Sequence, residues 1–164
     1  MKVFVIAAIS VDGFIGPDHT HTSLEWTSKE DTKFFVARTK EAGAIVMGGT
    51  TYRTIGKALP GRRNVVYSRS PIDQEGIETT QESPQDLIAR LEAEGHTELA
   101  VCGGQSVYDM FLQAGVVDEL YLTVEPIVFG SGLPLTSASL KLALLDTEKL
   151  NENSIRLHYK VIKD

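Results

Sequence analysis

The stretch IVMGGTTYRTIGKALPGRRNVVYSRS, residues 45–70, holds two strands, a short helix and a turn in the order that decides the fold. The apolar run at residues 44–47 predicts a buried strand, and a glycine pair follows it directly. Residues 50–55 then predict a short helix, and LPGRR predicts a turn before a strand over residues 64–68. A helix between two buried strands is typical of parallel pairing, so this stretch indicates an α/β fold.

The same alternation extends toward both ends of the chain. Residues 2–9 are apolar and rich in β-branched side chains without strict alternation, which predicts a central strand covered on both faces. Further strands are predicted over residues 99–102, 117–124 and 155–162, and the last alternates as an exposed or edge strand does. Further helices are predicted over residues 26–40, with Thr27 and Glu30 as a capping box, over residues 84–95 after Ser83, and after Gly103-Gly104.

Strands and helices alternate through the first two thirds of the chain, and two late strands follow without a clear helix between them. This order predicts a three-layer α/β fold with a twisted, mainly parallel central sheet, an antiparallel C-terminal edge strand and helices on both faces. No linker-like segment or internal repeat divides the sequence, so residues 1–164 are predicted to form one domain.

Composition limits the classes of function that fit the chain. The net charge of −6 and the pI near 5.2 leave no excess of cations for a phosphate backbone, so no nucleic-acid partner is expected. One cysteine excludes an internal disulfide, and MKVFVIAAISVDG reaches acidic and glycine residues before a signal peptide or membrane span is complete. We therefore expect a cytoplasmic protein with no membrane partner, as a monomer, with a homodimer as the alternative.

Two glycine pairs are candidates for holding a phosphate. MGGTTY at residues 47–52 and CGGQSVY at residues 102–108 each end a predicted strand and begin a helix. Such turns offer close backbone approach, free amide N–H groups and the positive end of a helix dipole, and two of them on parallel strands suit a dinucleotide. The alternative is that the glycines only permit tight turns, since neither pair matches the Rossmann or P-loop pattern.

Asp31 is the candidate catalytic carboxylate. It shares a predicted helical face with Phe34 and Phe35, where a carboxylate is costly unless a partner requires it. The alternative is a helix-capping role, in which Asp31 interacts with the helix dipole and completes a capping box with Ser28.

The histidines and the cysteine are not expected to carry chemistry. His19 and His21 lie two residues apart beside Asp18, but no further ligand accompanies them, so they predict a solvated loop and no metal site. Cys102 has no histidine spaced to activate it and is predicted to be a small buried hydrophobe.

VCGGQSVYDMFLQAGVVDELYLT, residues 101–123, and IAAISVDGFIG, residues 6–16, add two long motifs to residues 45–70. Together these segments resemble the dihydrofolate reductase family along nearly the whole chain, and residues 45–70 match its strand, helix, LPGR turn and next strand without a gap. The resemblance implies the dihydrofolate reductase-like fold and NADPH-dependent reduction of dihydrofolate to tetrahydrofolate, a step of one-carbon metabolism and a target of antifolates.

The resemblance implies a substrate role for several residues. Asp31 would bind the pterin edge through two hydrogen bonds and support proton delivery to N5, with Thr123 completing that network and Trp26 walling the pterin beside it. Arg62 in the LPGR turn would bind the α-carboxylate of the folate glutamate. The remaining residues implied to contact the substrate are Ala8, Phe35, Ile55 and Leu59.

The resemblance also implies an NADPH site. Hydride would pass from nicotinamide C4 to pterin C6, and residues 16–26 would form a mobile lid. The implied cofactor-binding residues are Ala7, Ile15, Gly16, Gly48, Gly49, Thr50, Thr51, Ser68, Arg69, Ser70, Cys102, Gly103, Gly104, Gln105, Ser106, Val107 and Tyr108.

Two positions depart from the family pattern at the cofactor. Gly49 and Ser106 stand where the family often carries arginines, the first of which grips the 2′-phosphate of NADPH. Arg69 and Ser70 are predicted to supply the phosphate contact instead, so that NADPH remains preferred over NADH.

Other departures leave the substrate open. The lid segment PDHTHTSLE is longer than in many members, and FGSGLPL, residues 129–135, is similar to the reductase domain of riboflavin biosynthesis. One alternative is therefore a reductase of a phosphoribosylamino-pyrimidine or a related small molecule, with Arg62, Arg63 and Lys57 available for its phosphate. Another is a nucleotide-binding domain without activity, which would be expected to lack the catalytic carboxylate.

Overall fold

The computed structural model describes residues 1–164, and an eight-stranded sheet forms its centre. The strands are β1 (Lys2–Ile9), β2 (Phe14–Gly16), β3 (Ala44–Gly48), β4 (Arg63–Tyr67), β5 (Ile77–Thr80), β6 (Glu98–Val101), β7 (Glu119–Val124), β8 (Leu133–Pro134), β9 (Lys141–Lys149) and β10 (Ile155–Ile162). The helices are α1 (Lys29–Ala42), α2 (Gly49–Ile55), α3 (Pro84–Ala93) and α4 (Gln105–Gln113). A 3-10 turn at Ser23–Glu25 precedes α1.

The sheet runs in the order β5-β4-β3-β6-β1-β7-β10-β9, with β2 and β8 paired separately. Neighbours from β5 to β7 are parallel, whereas β10 is antiparallel to both β7 and β9. This confirms the predicted α/β fold with antiparallel pairing on the C-terminal side. One detail is corrected: residues 155–162 lie one strand in from the edge, because the unpredicted strand β9 pairs with their outer side.

Two hydrophobic cores lie on opposite faces of the sheet, because successive side chains of a strand point to opposite sides. Val3 and Val5 of β1 enter one core, and Phe4 and Ile6 enter the other. The first core contains side chains of α3 and α4, among them Leu87, Leu91, Val107 and Phe111. The second contains side chains of α1 and α2, among them Phe34, Phe35, Ala42 and Tyr52. Helices therefore cover both faces, as predicted.

Two of the helix starts show how local sequence fixes the element boundaries. Ser28, and not Thr27, caps α1, because its side chain accepts a hydrogen bond from the Asp31 N–H at 3.2 Å. Ser83 caps α3 in the same way, with Pro84 at the first helical position as predicted. That helix ends at Ala93, two residues before the predicted end.

The helix lengths also bear on membrane association. None of the helices is both long and apolar enough to cross a lipid bilayer.

Candidate active site

A cavity of about 670 Å³ opens at the carboxyl ends of β1, β3 and β6. Neighbouring parallel strands of an open α/β sheet commonly place a ligand at this edge. Most of its wall comes from residues 6–8 and from parts of residues 18–36, 48–59 and 102–110. Ile15, Tyr67 and Leu133 complete the wall.

The two glycine turns meet at the back of the cavity. The Gly48 N–H donates to the Gly103 carbonyl oxygen at 2.8 Å. A Cβ at Gly48 would lie 3.2 Å from Val107 Cγ2, and a Cβ at Gly104 would lie 3.3 Å from Thr51 Oγ1. Neither position has room for a side chain without displacement, so the two turns form one glycine-lined cradle.

The first turn of α4 leaves its end of the cradle free of a protein cap. Gly104 begins the helix without a side-chain hydrogen bond to its amide groups. Tyr108, one turn further on, donates from its hydroxyl group to the Ile6 carbonyl oxygen at 2.8 Å and fixes α4 against β1. The backbone amide groups at the start of α4 are therefore not capped by a side chain, and the Tyr108 hydrogen bond keeps α4 in place beside β1.

Asp31 lies in the first turn of α1 and lines the cavity, half-buried. Burial raises the pKa of its carboxyl group, the charge of Glu125 raises it further, and the nearby Thr123 hydroxyl opposes both effects. Thr123 is buried on β7, directly across from Ala8 of β1. Asp31 is thus a half-buried carboxyl group on the cavity wall, close to Thr123.

Glu125 is a buried carboxylate that the sequence analysis did not identify. Its Oε1 accepts hydrogen bonds from the Ser28 N–H at 3.1 Å and the Ser28 hydroxyl at 2.8 Å, and its Oε2 accepts one from the Ser154 hydroxyl at 2.9 Å. It therefore ties the start of α1 to the turn before β10. The only sequence signal is a glutamate placed immediately after the apolar strand LYLTV.

Most of the predicted site residues line the cavity together. They are Ala7, Ala8, Ile15, Asp31, Phe35, Gly48, Gly49, Thr50, Thr51, Ile55, Leu59, Cys102, Gly103, Gly104, Gln105, Ser106, Val107 and Tyr108. Desolvation raises the pKa of the Cys102 thiol to about 12, so the thiol stays protonated at neutral pH and packs as a small apolar group.

Other predicted residues lie outside the cavity lining. They are Gly16, Trp26, Arg62, Ser68, Arg69, Ser70 and Thr123. Trp26 packs edge-to-face on Phe129, with ring centroids 5.2 Å apart, and its buried Nε1 has no partner. It faces a shallower depression shared with Glu125 and Ser154. Arg62 donates from Nη1 to the Thr39 hydroxyl at 2.8 Å, whereas Lys57, five residues earlier, does line the cavity.

The lid segment is organised around Asp18. Its Oδ1 accepts hydrogen bonds from the Thr20 N–H at 2.8 Å and the Thr20 hydroxyl at 2.6 Å, and it pairs with His21 Nδ1 at 2.8 Å. The Asp18 carboxylate raises the pKa of His21. No three His, Cys, Asp or Glu side chains are grouped as metal ligands anywhere in the structure.

Comparison with known proteins identifies the family. The family model described as dihydrofolate reductase matches residues 2–127. Dihydrofolate reductase type 3 of Salmonella typhimurium is 36% identical over 124 residues, which cover 75% of this chain and 71% of the relative.

The chain belongs to the dihydrofolate reductase family. It is accordingly an NADPH-dependent reductase of the dihydrofolate reductase-like superfamily, which confirms the resemblance found in the sequence.

Solved structures show that this fold is shared by more than one branch of the superfamily. A putative riboflavin biosynthesis protein from Shewanella sp. PV-4 superposes with a TM-score of 0.84 at 24% identity, over 99% of this chain and 100% of that one. Dihydrofolate reductase from Enterococcus faecalis, solved with NADP(H), gives a TM-score of 0.78 at 23% identity, over 99% and 97%. The likeness at these identities concerns the fold, so the substrate must be argued from the cavity.

The glycine-lined cradle of this chain fits NADPH, the cofactor that the dihydrofolate reductase family implies. The pyrophosphate of a dinucleotide needs backbone amides without intervening side chains, and the two turns carry glycines at positions 48, 49, 103 and 104. Ala7 and Ile15 provide an apolar wall on the neighbouring part of the cavity. A dinucleotide is therefore compatible with the residues present.

Proposed function

We propose that this protein reduces 7,8-dihydrofolate to 5,6,7,8-tetrahydrofolate, with NADPH as the reductant. The observation that carries the proposal is the half-buried Asp31 carboxyl group, which lies near Thr123 and lines the same cavity as the glycine-lined cradle. Dihydrofolate, NADPH and one proton give tetrahydrofolate and NADP⁺, so the site must deliver a hydride to C6 and a proton to N5. NADPH, when bound, supplies the hydride from C4 of its nicotinamide ring.

Asp31 supports the proton side of this reaction. In its ionised form, the Asp31 carboxylate can accept two parallel hydrogen bonds from an amino group and a ring N–H, as the pterin edge offers. The raised pKa of Asp31 keeps a larger fraction of the group protonated near neutral pH than an exposed aspartate would have. Thr123 is proposed to complete the network around the carboxyl group, and Trp26 is proposed as a neighbour of the pterin.

Apolar residues would hold the rest of the substrate. Phe35 of α1 and Ala8 of β1 are proposed to enclose the pterin, and Ile55 and Leu59 to contact the aminobenzoyl group. Arg62 is proposed to bind the α-carboxylate of the glutamate, since its guanidinium is oriented by the Thr39 hydroxyl and the Pro60 carbonyl oxygen.

The remaining proposed contacts belong to the cofactor and exclude water from the hydride path. Residues 48–51 and 102–108 would bind the pyrophosphate and adenosine portions, and Ala7, Ile15 and Gly16 would lie beside the nicotinamide. Ser68, Arg69 and Ser70 follow β4 at the same end of the sheet and are proposed for the adenosine side.

The decisive experiment follows the loss of NADPH absorbance with dihydrofolate, with NADH and a phosphoribosylamino-pyrimidine run in parallel. We expect antifolate-sensitive turnover with dihydrofolate. Asp31→Asn should lower kcat at neutral pH by about 100-fold or more, while leaving the Kd for NADPH nearly unchanged, because proton delivery typically contributes that much. Full activity of Asp31→Asn would contradict the site, and no turnover with dihydrofolate would contradict the function.

A second candidate is the reduction of a phosphoribosylamino-pyrimidine. The observation that favours it is the position of Lys57, whose side chain lines the cavity while that of Arg62 is turned to Thr39. The phosphate of a phosphoribosylamino-pyrimidine would need a cation inside the cavity, as Lys57 is. The glutamate tail of a folate would need one outside the cavity lining, as Arg62 is. Arg62→Leu should raise the KM for dihydrofolate by about 10- to 100-fold under the first proposal, and Lys57→Leu should have the larger effect under the second.

A further inference from the structure

Arg53 is a cation at the cavity edge without an acidic partner. Its guanidinium donates from Nη2 to the Thr50 hydroxyl at 3.2 Å, and no carboxylate lies within ion-pair distance. The ion-paired arginines of the chain are Arg38, Arg63, Arg90 and Arg156. A guanidinium held in place by a neutral hydroxyl keeps donors available for an anion.

The glycine at position 49 is what gives Arg53 its place. A Cβ on Gly49 would lie 3.3 Å from Arg53 Nη1 and 3.5 Å from the Tyr67 carbonyl oxygen. The guanidinium therefore covers bare backbone that any other residue at position 49 would fill in part. Gly49 and Thr50 both line the cavity, so Arg53 stands directly beside the cradle.

Tyr67 adds a polar group without a partner to another part of the cavity, on the face of the sheet opposite α2, where its ring packs edge-to-face on Phe111 of α4. Its hydroxyl oxygen is buried without a hydrogen bond, and the residue lines the cavity. Desolvation raises the pKa of this hydroxyl to about 12, so it remains a neutral donor. A buried hydroxyl without a partner is unfavourable unless a ligand or water satisfies it.

We propose that Arg53 binds the phosphate on the adenosine ribose of NADPH, the group that NADH lacks, and so determines the cofactor preference of this chain. The inference rests on the assignment of the chain as an NADPH-dependent reductase. A guanidinium matches a phosphate with two parallel hydrogen bonds, which makes it the side chain suited to this contact. It differs from the sequence prediction, in which Arg69 and Ser70 supplied the contact, because Arg53 touches the cradle.

The test measures binding and needs no substrate. Calorimetry on the intact protein would give the Kd values for NADPH, NADH, 2′,5′-ADP and 5′-AMP. Arg53→Gln should weaken NADPH and 2′,5′-ADP by about 10- to 100-fold and leave NADH and 5′-AMP nearly unchanged. Gly49→Ala should weaken the same two ligands by a smaller factor, because the new methyl group displaces the guanidinium. Lys29→Gln, which removes an exposed cation on α1 away from the cavity, is the charge-matched control.

Several outcomes would overturn the inference. In the first, Arg53→Gln binds NADPH over NADH with the same preference as wild type. In the second, Arg53→Gln weakens NADPH and NADH equally. In the third, the preference for NADPH is lost in Arg69→Gln instead. Wild-type protein that does not prefer NADPH would overturn it as well. A protein that binds NADPH through Arg53 but does not turn over dihydrofolate would contradict only the proposed function.

Discussion

The Asp31 carboxyl group lies in surroundings that favour its protonated form, mainly because burial raises its pKa. The folded chain therefore binds this proton more tightly than the unfolded chain does. Between the unfolded pKa and the raised folded pKa, stability falls as pH rises, and the full cost is present above the folded pKa. Titratable groups with strongly perturbed pKa values cluster at active sites, which agrees with the proposed role of Asp31.

Asp31→Asn is accordingly expected to raise the melting temperature of the free protein at pH 7.5 and to change it much less at pH 4. The amide has no charge to bury, so the variant avoids the cost that wild type carries above its raised pKa. Thermal unfolding of both proteins across this pH range measures the difference. A variant that is less stable than wild type at pH 7.5, or a difference that does not depend on pH, would contradict the argument.

Glu125 is predicted to position the start of α1 and to influence Asp31 by its charge. Glu125→Gln should lower the free energy of unfolding by about 1–3 kcal/mol, because Ser28 or Ser154 would then face an amide NH₂ group where it now donates to a carboxylate oxygen. It should also lower the pKa of Asp31, since the charge of Glu125 raises that pKa in wild type. Carboxyl ¹³C NMR titration measures the second effect. Glu30→Gln, an exposed change on the same helix, should produce neither effect.

The site could be predicted where a residue type was unexpected in its local pattern. Asp31 was identified because a carboxylate beside Phe34 and Phe35 is costly, and the glycine cradle because two glycine pairs end two strands. Glu125 was missed because its partners, Ser28 and Ser154, come from distant parts of the chain and no local pattern marks them. Arg53 was not singled out, although it stands four residues after Gly49 on the same helix α2, where residues i and i+4 are neighbours.

At the scale of elements, an ion-pair cluster fastens α3 to the short edge strand β5. Arg90 of α3 donates to both Glu82 oxygens, at 2.9 and 2.8 Å, and also pairs with Glu78 of β5 and Glu94. Arg90 lowers the pKa of Glu82 to about 2. Because this pKa is depressed on folding, its contribution to stability is present above the unfolded pKa and is lost as pH falls toward 2.

Arg90→Gln should therefore lower the free energy of unfolding by about 1 kcal/mol at neutral pH and low salt, a small value because both side chains are about one-third exposed. The difference from wild type should shrink in 1 M salt and as pH falls from 4.5 toward 2. Denaturant unfolding measures it, with Lys149→Gln as a control for loss of an exposed, unpaired cation. A loss that persists unchanged at high salt would indicate packing and not charge.

The helices and strands that could be predicted are those whose own residues carry a clear pattern. The strands β1, β3, β4 and β6 carry continuous apolar runs, and the glycine, serine and proline signals mark most of the helix ends. The short strands β2, β5 and β8 were not predicted, because two to four residues hold too little pattern. The long strand β9 was missed because LALLDTEK neither alternates nor stays apolar, and its pairing with β10 comes from a neighbour in space.

At the scale of the whole molecule, the proposed site depends on elements from nearly the full length of the chain. The cavity takes residues from β1, α1, α2, α4 and β8, and Glu125 connects α1 to the turn before β10. The two cores share the central strand β1, whose side chains enter both. Loss of either core would remove one wall of the cavity, which links stability of the whole fold to binding.

This arrangement predicts that residues 1–164 unfold as one cooperative unit, because neither core is complete without the central sheet. Calorimetric and van't Hoff enthalpies should agree, and a single transition should move upward when NADPH is added. A concentration 100 times the Kd should stabilise the folded state by about 2.7 kcal/mol, and NADH at the same concentration should stabilise it less. Two separate transitions, only one of which responds to NADPH, would contradict a single domain and would show that the cavity is held by part of the chain.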